Sequence, residues 1–495
     1  MFAKGAAALN AGDYETADRI FRAIVERDPA AHQAWLALAV IAFHTGSPDL
    51  AVERAQRAVA LDRKNPDYLN KLGIAHGEQG DLQASERAFR RALKLKPAYA
   101  AAHHNLAKTL QKQGRLAESL KEFERAYKLE PHTSEIQLSL AGMYRLRGDP
   151  ARALAVLRKS VGDGPAPPAF IPQLADCIAD VEGPDAALQW LKKQPESQPA
   201  HYALAVMLLS VGEWREGWKH HLWRPRSGER PERLPMQEKV VLNAEYGLGD
   251  VLFFLRFAPL LQKPFSLYLP PPLAKLAPIL SMELAAESED QVCLPDLPSL
   301  LETVSTPPPY PLRAERDARL ERLGPPPYLG LTWRAGTDLA RGRELGVDQR
   351  VQFKEVPPAF LGQALRGWPG TLVSVQRAPT RDEARSVEEA SGKKVHDLSA
   401  MNEDLRDALA VLAALDDYVG VSNTNMHLRA GVGRTARVLV PNPPEWRWMR
   451  AGDASPWFPG FSVYRQPASR DWSGPLRRLR EDLLAGAGSP PRAPA

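Results

Sequence analysis

The hydrophobic and polar positions of this 495-residue chain change their period near residue 224. Up to about residue 162 the pattern repeats every 34 residues, weaker helical pairs follow, and after residue 224 short apolar runs alternate with helix-like segments. Strand–helix alternation with near-continuous apolar strands predicts a parallel sheet that is covered on both faces. The pattern therefore predicts a repetitive first part and an α/β second part.

Four kinds of residue keep the 34-residue register. Glycines occur at Gly12, Gly46, Gly80, Gly114 and Gly148; small residues at Ala17, Ala51, Ser85, Ser119 and Ala153; apolar residues at Phe21, Ala55, Phe89, Phe123 and Leu157; and prolines at Pro29, Pro97 and Pro131, with Arg63 in the remaining slot. Glycine suits a turn between two antiparallel helices, and a small residue lets those helices approach closely. The apolar residue fills the gap between units, and proline ends the second helix.

This period and pattern resemble the tetratricopeptide-repeat (TPR) family, with five repeats over residues 1–162. The resemblance implies an α-helical solenoid whose concave face binds a protein or peptide partner. A role as a dimerisation or packing platform stays open, because the fold does not fix the function. After a breaker run at residues 162–168, two weaker helical pairs predict degenerate TPR-like helices and a junction over residues 168–224.

The α/β part is predicted to form two Rossmann-like lobes, at residues 225–312 and 328–486, around a proline-rich hinge. Predicted strands cover residues 240–244, 265–269, 328–333, 371–376, 417–421 and 436–441, with helices between them. Two such lobes imply a cleft at the carboxyl ends of the strands, where ligands bind in open α/β sheets. Residues 487–495 are rich in proline and small residues and are predicted to be disordered.

Composition excludes several classes of protein. The formal net charge is only +5, and the charges are interspersed, so we predict no nucleic-acid partner. Two distant cysteines, Cys177 and Cys293, support neither a disulfide framework nor a zinc site. No run of about 18 apolar residues predicts a transmembrane segment. We therefore expect a soluble, cytoplasmic protein.

The turn from Gly247 to Asp250 follows the first predicted strand and opens a helix. Gly247 and Gly249 would let a substrate approach the backbone, and a helix N-terminus attracts anions. Asp250 would either face the cleft as a catalytic carboxylate or cap the helix, which is worth about 1 kcal/mol. Both interpretations stay open on these residues alone.

A second loop joins a strand end to a helix start and is predicted to bind a donor diphosphate. Its side chains and free backbone N–H groups suit phosphate, namely those of Ser422, Asn423, Thr424 and His427. Basic residues that would stabilise the leaving diphosphate lie around the strand at 328–333, as Arg334 and Lys354. The arginine-containing loop at 338–352 between them is a candidate lid. A structural histidine and a solvated basic loop are the alternatives.

The segment from residue 244 to 254 is similar to the opening motif of heptosyltransferase-like enzymes, and closer to a bacterial group in which TPR repeats precede that half. The junction residues 212–218, with Trp223 and Arg224, match that group as well. The resemblance implies the two-lobed GT-B architecture, no metal or other cofactor, and inversion at the anomeric carbon. It also implies Asp250 as general base, donor binding by Lys354 and Gln376, and a carboxylate where this chain has Ser422.

The favoured hypothesis is a glycosyltransferase that moves a sugar from a nucleotide-sugar donor to an acceptor hydroxyl. The smaller lobe would pack on Trp214, Trp218 and Trp223, which would bring the array to the acceptor site and favour a protein or peptide acceptor. The alternative is a non-catalytic TPR scaffold whose sugar-nucleotide fold has degenerated, and Ser422 supports it.

Overall fold

The computed structural model of the protein describes residues 1–162, 164–225, 239–287, 291–315, 317–335 and 354–486. The predicted lid at 338–352 and tail at 487–495 therefore lie outside the described residues. The chain divides into two compact units, Met1–Gly164 and Pro165–Ala495. No helix in the described ranges has both the length and the apolar character that crossing a membrane requires. The finer domain boundaries stay predictions.

The first unit consists of five antiparallel helical pairs. In chain order they are α1 (Phe2–Asn10), α2 (Tyr14–Arg27), α3 (His32–His44), α4 (Pro48–Leu61), α5 (Pro66–Gln79), α6 (Leu82–Leu95), α7 (Ala100–Lys112), α8 (Leu116–Leu129), α9 (Ser134–Leu146) and α10 (Pro150–Val161). The five repeat glycines all adopt φ between +71° and +94° in the turns within the pairs, a region that favours glycine. The predicted helical solenoid is confirmed.

Two repeat positions explain the close packing inside each pair. Ser85 Oγ donates to the Gly73 carbonyl at 2.8 Å, and one repeat later Ser119 Oγ donates to the Ala107 carbonyl at 2.7 Å. Phe89 lies over Gly73, whose missing side chain makes room for the ring. Where the small residue of the repeat is a serine, its buried hydroxyl thus has a hydrogen-bond partner on the facing helix.

The second unit begins with two helical pairs, α11 (Ile171–Val181) with α12 (Pro184–Leu191), and α13 (Gln198–Val211) with α14 (Trp214–His221). A smaller lobe follows, with a parallel sheet ordered β2–β1–β3 from strands Val240–Asn243 (β1), Phe265–Tyr268 (β2) and Gln291–Cys293 (β3). Helices α15 (Leu248–Phe254) and α16 (Leu297–Leu300) belong to it. The short strand β3 was not predicted.

The larger lobe is built on a six-stranded parallel sheet with the order β6–β5–β4–β7–β8–β9. Its strands are β4 (Tyr328–Leu331), β5 (Thr371–Ser374), β6 (Val395–Asp397), β7 (Asp417–Val421), β8 (Arg437–Val440) and β9 (Ser462–Arg465), and its helices are α17 (Pro358–Ala364), α18 (Arg381–Ser391), α19 (Leu405–Ala414), α20 (Thr424–Gly431) and α21 (Ser473–Gly486). This is the doubly wound order, which reverses direction between β4 and β7.

Helices cover both faces of the larger sheet, as the apolar strands predicted. Leu361, Val387 and Leu479 from α17, α18 and α21 form one core with Leu331 of β4. The opposite face shares a core with α19, α20 and the smaller lobe. The strands β6 and β9 lie at the two edges and were not predicted.

Of the tryptophans that were predicted to pack on the smaller lobe, Trp218 contacts Phe257 of that lobe, whereas Trp214 contacts Trp457 of the larger lobe. The Trp214 ring lies 4.8 Å from that of Trp457, and Trp218 lies 5.3 Å from Trp446 and 5.7 Å from Phe257 between ring centroids. Trp223 instead stacks on the imidazole of His201 at 4.1 Å. Aromatic pairs of this kind add about 0.5–1.5 kcal/mol each beyond their burial.

Gly420→Ala should lower the free energy of unfolding of the second unit by about 1–3 kcal/mol. The added methyl group would lie 2.1 Å from Thr332 Oγ1 in a buried part of β7, so neighbouring groups must shift. Denaturant unfolding followed by tryptophan fluorescence measures this change, since ten of the 11 tryptophans lie beyond residue 165. Gly474→Ala, where a methyl group meets nothing within 4 Å, is the control and should change stability by less than about 1 kcal/mol. Equal stability of the two variants would contradict the prediction.

Candidate functional site

The larger sheet presents two loops where its strand order reverses. Arg334 follows β4, and Ser422 and Asn423 follow β7, the strand that pairs directly with β4. In open α/β sheets, ligands bind at the carboxyl ends of the strands at this reversal. The two sets of donor-binding residues that the sequence predicted therefore lie at neighbouring strand ends.

A buried polar network fixes the loop after β7. The Asn423 carboxamide caps α20 by accepting from Asn425 N–H at 3.0 Å, and its Nδ2 donates to Thr332 Oγ1 at 3.1 Å. The Thr332 and Tyr418 hydroxyls lie 2.7 Å apart, and Asn425 donates to Tyr418 at 3.3 Å. Because Asn423 serves as the cap of α20, the backbone at residues 422–424 is held at the start of a helix.

Asp250 lies in the first turn of α15, on the smaller lobe. Its Oδ2 accepts from the backbone N–H of Gly247 at 3.3 Å, so the carboxylate satisfies a backbone donor at the start of the helix. Its Oδ1 forms an ion pair with Arg447 of the larger lobe. Almost a third of the Asp250 side chain remains exposed. The carboxylate thus caps its helix and also takes part in a charged contact between the lobes.

Arg447 is held over aromatic rings. Its guanidinium carbon lies 4.7 Å from the ring centroid of Phe253, 5.0 Å from Trp446 and 5.8 Å from Phe254. Each such contact contributes about 0.5–2 kcal/mol, more where water is excluded. Its Nε is buried and has no hydrogen-bond partner among the described residues.

Lys354, Glu445 and Ser422 form a connected group on the larger lobe. Lys354 pairs with Glu445 Oε1, and Ser422 Oγ donates to Glu445 Oε2 at 2.7 Å. Burial, and then the charge of Arg447, lower the pKa of Lys354 to about 8, against a smaller opposing effect of Asp250. Glu445 thus places a carboxylate against Ser422, the position where the family resemblance implied an acid.

His427 lies between the two lobes. A Cβ added to Gly249 would come within 3.1 Å of its Cδ2 and 3.3 Å of its Nε2, so this glycine permits α15 to pack against α20. Burial, and then the charges of Arg447, Arg256 and Lys354, hold the pKa of His427 well below its usual value. The imidazole is therefore neutral, and its buried Nδ1 has no hydrogen-bond partner among the described residues.

Arg334 and Gln376, two further predicted donor-binding residues, have partners of their own. Arg334 Nε pairs with Glu383 at 2.7 Å, and its Nη2 donates to the Ala378 carbonyl at 2.7 Å. Gln376 Oε1 accepts from the backbone N–H groups of Trp333 and Arg334 at 3.0 and 3.1 Å. Their contacts in this structure fix the loop after β4.

Sequence reasoning missed Arg447 and Arg256, and it did not predict the contacts of Glu445 with Ser422 and Lys354. Arg256 is 3% exposed and donates to the carbonyls of Phe253 and Trp457 at 3.0 and 2.6 Å. Its guanidinium lies 4.3 Å from the Phe253 ring, the same ring that Arg447 contacts. The alternation of charged residues and tryptophans at 445–448 could have indicated Glu445 and Arg447 as site residues.

Comparison with known proteins identifies the repetitive part. A tetratricopeptide-repeat model matches residues 2–66 and 104–168, and a TPR-repeat model matches residues 78–114. Among solved structures, Pseudomonas aeruginosa PilF is 22% identical and covers 39% of this chain and 87% of its own, with a TM-score of 0.35. A MamA structure is 24% identical over 32% of this chain and 91% of its own, with a TM-score of 0.29.

Two curated proteins show longer or more identical matches. Protein FlbA of Caulobacter vibrioides is 25% identical over 373 residues, which are 64% of this chain and 59% of FlbA. Protein O-mannosyl-transferase TMTC3 of Homo sapiens is 31% identical over 104 residues, which are 21% of this chain and 11% of that protein. The chain thus spans about three-fifths of the first relative and about a tenth of the second. The N-terminal part of this protein consists of TPR repeats.

Proposed function

We propose that the second unit is a glycosyltransferase of GT-B type, which moves a sugar from a nucleotide-sugar donor to an acceptor hydroxyl. The observation that carries the proposal is the convergence of Asp250 from the smaller lobe with Lys354, Arg447 and the 422–427 loop from the larger one. This convergence lies at the strand reversal of a doubly wound sheet. The short similarity to an O-mannosyl-transferase supports sugar transfer as the reaction class.

The proposed reaction assigns each charged group a part. Asp250 accepts the proton of the acceptor hydroxyl while the oxygen of that hydroxyl bonds to the anomeric carbon. The bond from that carbon to the donor phosphate breaks, and its electron pair leaves with the nucleoside diphosphate. Lys354 and the N-terminus of α20 stabilise the charge that develops on the leaving group.

The TPR array suits a protein or peptide acceptor. Solenoids of this kind present extended concave surfaces to protein partners. Joining such a unit to a transferase on one chain would raise the effective concentration of a bound acceptor near the catalytic residues. We accordingly propose that the acceptor hydroxyl belongs to a protein, and that the protein acts in the cytoplasm.

A scaffold without catalysis is the second candidate. Ser422 stands where the family resemblance implies an acid, and both Lys354 and Asp250 already have charged partners in the structure. The matches to FlbA and to TPR proteins fit a scaffold equally well. In that case the charged groups would hold the two lobes together without binding a donor.

A panel of nucleoside diphosphates and nucleotide sugars separates these candidates. One of them should raise the thermal midpoint of the wild-type protein, because binding to the folded state alone stabilises it. Lys354→Ala should lower the affinity for that ligand about tenfold or more, because the loss of a charge-assisted hydrogen bond usually costs this much. Lys394→Ala, an exposed lysine before β6, is the matched control and should bind normally. A wild-type protein that no member of the panel stabilises favours the scaffold.

Burial and the charge of Arg447 lower the pKa of Lys354 to about 8. Affinity for the nucleoside diphosphate should therefore fall as the pH rises through this value. The lysine binds phosphate as a cation, so affinity is complete below this pKa and is lost as the proton leaves. We expect roughly tenfold weaker binding at about pH 9 than at pH 7, measured by calorimetry. Lys354→Arg should remove this dependence, because arginine stays protonated. The same fall in that variant would assign the titration to another group.

A further inference from the structure

We propose that Arg447 is a catalytic residue of this site. It pairs with Asp250 until a donor diphosphate binds and replaces Asp250 as the partner of the arginine. The inference rests on the proposed function and adds to it a control of the general base. Without donor, the base is neutralised by a cation; with donor, that cation moves its hydrogen bonds to phosphate.

The first step of the argument is the position of the charged segment at 445–447. Glu445 faces Lys354 and Ser422, whereas Arg447, two residues later, faces Asp250. A short 3-10 turn, Trp446–Trp448, holds the two side chains in this arrangement, and its tryptophans are buried. One rigid segment therefore contacts the predicted base on one lobe and the predicted phosphate-binding residues on the other.

The second step is the balance of charge. Arg447 and Arg256 both lie over the Phe253 ring, within 4.7 Å of its centroid, and the hydrogen bonds of Arg256 go to carbonyl oxygens. With Lys354, this group contains three cations and two carboxylates, those of Asp250 and Glu445, and only Arg447 and Lys354 pair with a carboxylate among the described contacts. Their repulsion lowers the pKa of His427 and Arg256, in each case after the larger effect of burial. Buried cations in excess favour a bound anion.

The third step is the unused hydrogen-bonding capacity. Arg447 Nε is a buried donor without a partner among the described residues, and an unpaired buried donor is costly; the buried His427 Nδ1 has no partner there either. A diphosphate supplies several acceptor oxygens and matches the fork of a guanidinium. A phosphate that bound Arg447 would satisfy the first of these atoms and reduce the repulsion among the cations. Asp250 would then be free to accept the proton of the acceptor.

The experiment is a double-mutant cycle on nucleoside diphosphate affinity, measured by calorimetry with UDP, GDP, ADP and dTDP. Arg447→Ala should weaken binding about tenfold, and Arg447→Lys should restore part of it. Asp250→Asn should tighten binding about fivefold to tenfold, because the diphosphate no longer competes with a carboxylate for Arg447. In the double variant that gain should vanish. Thermal midpoints establish that each variant is folded.

Asp453→Asn is the matched control for the charge change. Asp453 pairs with Arg478 at 2.7 Å on the exposed surface, so removing its carboxylate should leave affinity unchanged. A gain from Asp250→Asn that persists in the Arg447→Ala background would show simple charge repulsion and would overturn the inference. Equal affinity of the wild-type protein and the Asp250→Asn variant for the diphosphate would overturn the inference as well. A wild-type protein that binds none of the four diphosphates would instead refute the proposed function itself.

Discussion

The ion pair between Asp250 and Arg447 is the contact on which the rest of the candidate site depends. Asp250 is fixed by its own helix cap, and Arg447 is fixed by aromatic rings. In the absence of a donor, the pair links the α15 turn to the larger lobe. Lys354, His427 and Arg256 all have their pKa lowered in part by the same guanidinium. Next to burial, this one arginine is the largest charged influence on all three groups.

Much of the architecture followed from short-range patterns. The 34-residue period predicted the ten helices of the array, because each repeated glycine, small residue and aromatic has a local role in a turn or in packing between helices. The strands that lie within apolar runs were also predicted. The strands β3, β6 and β9 were not: they lie at sheet edges and contribute only one or two apolar side chains each, fewer than most of the predicted strands.

The candidate site was predicted in part. Asp250, Ser422 and His427 follow strands or open helices, so their place in the sequence indicated a place in the cleft. Arg447 and Glu445 come after β8, within a tryptophan-rich turn, and only tertiary packing brings them to Asp250 and Ser422. Conversely, Arg334 and Gln376 have the predicted location, but their contacts join the loop after β4 to the segment after β5 and to α18. Side-chain partners of this kind depend on distant residues, which no local pattern specifies.

Release of nucleoside diphosphate from a bound nucleotide sugar tests the central claim most directly, since a transferase hydrolyses its donor slowly when no acceptor is present. The account predicts measurable release by the wild-type protein and a rate at least about 100-fold lower in Asp250→Asn, the usual contribution of a general base. The variant should still bind the nucleotide sugar, which separates lost chemistry from lost binding. Equal rates in the two proteins, or binding without any release, would contradict a catalytic role for Asp250.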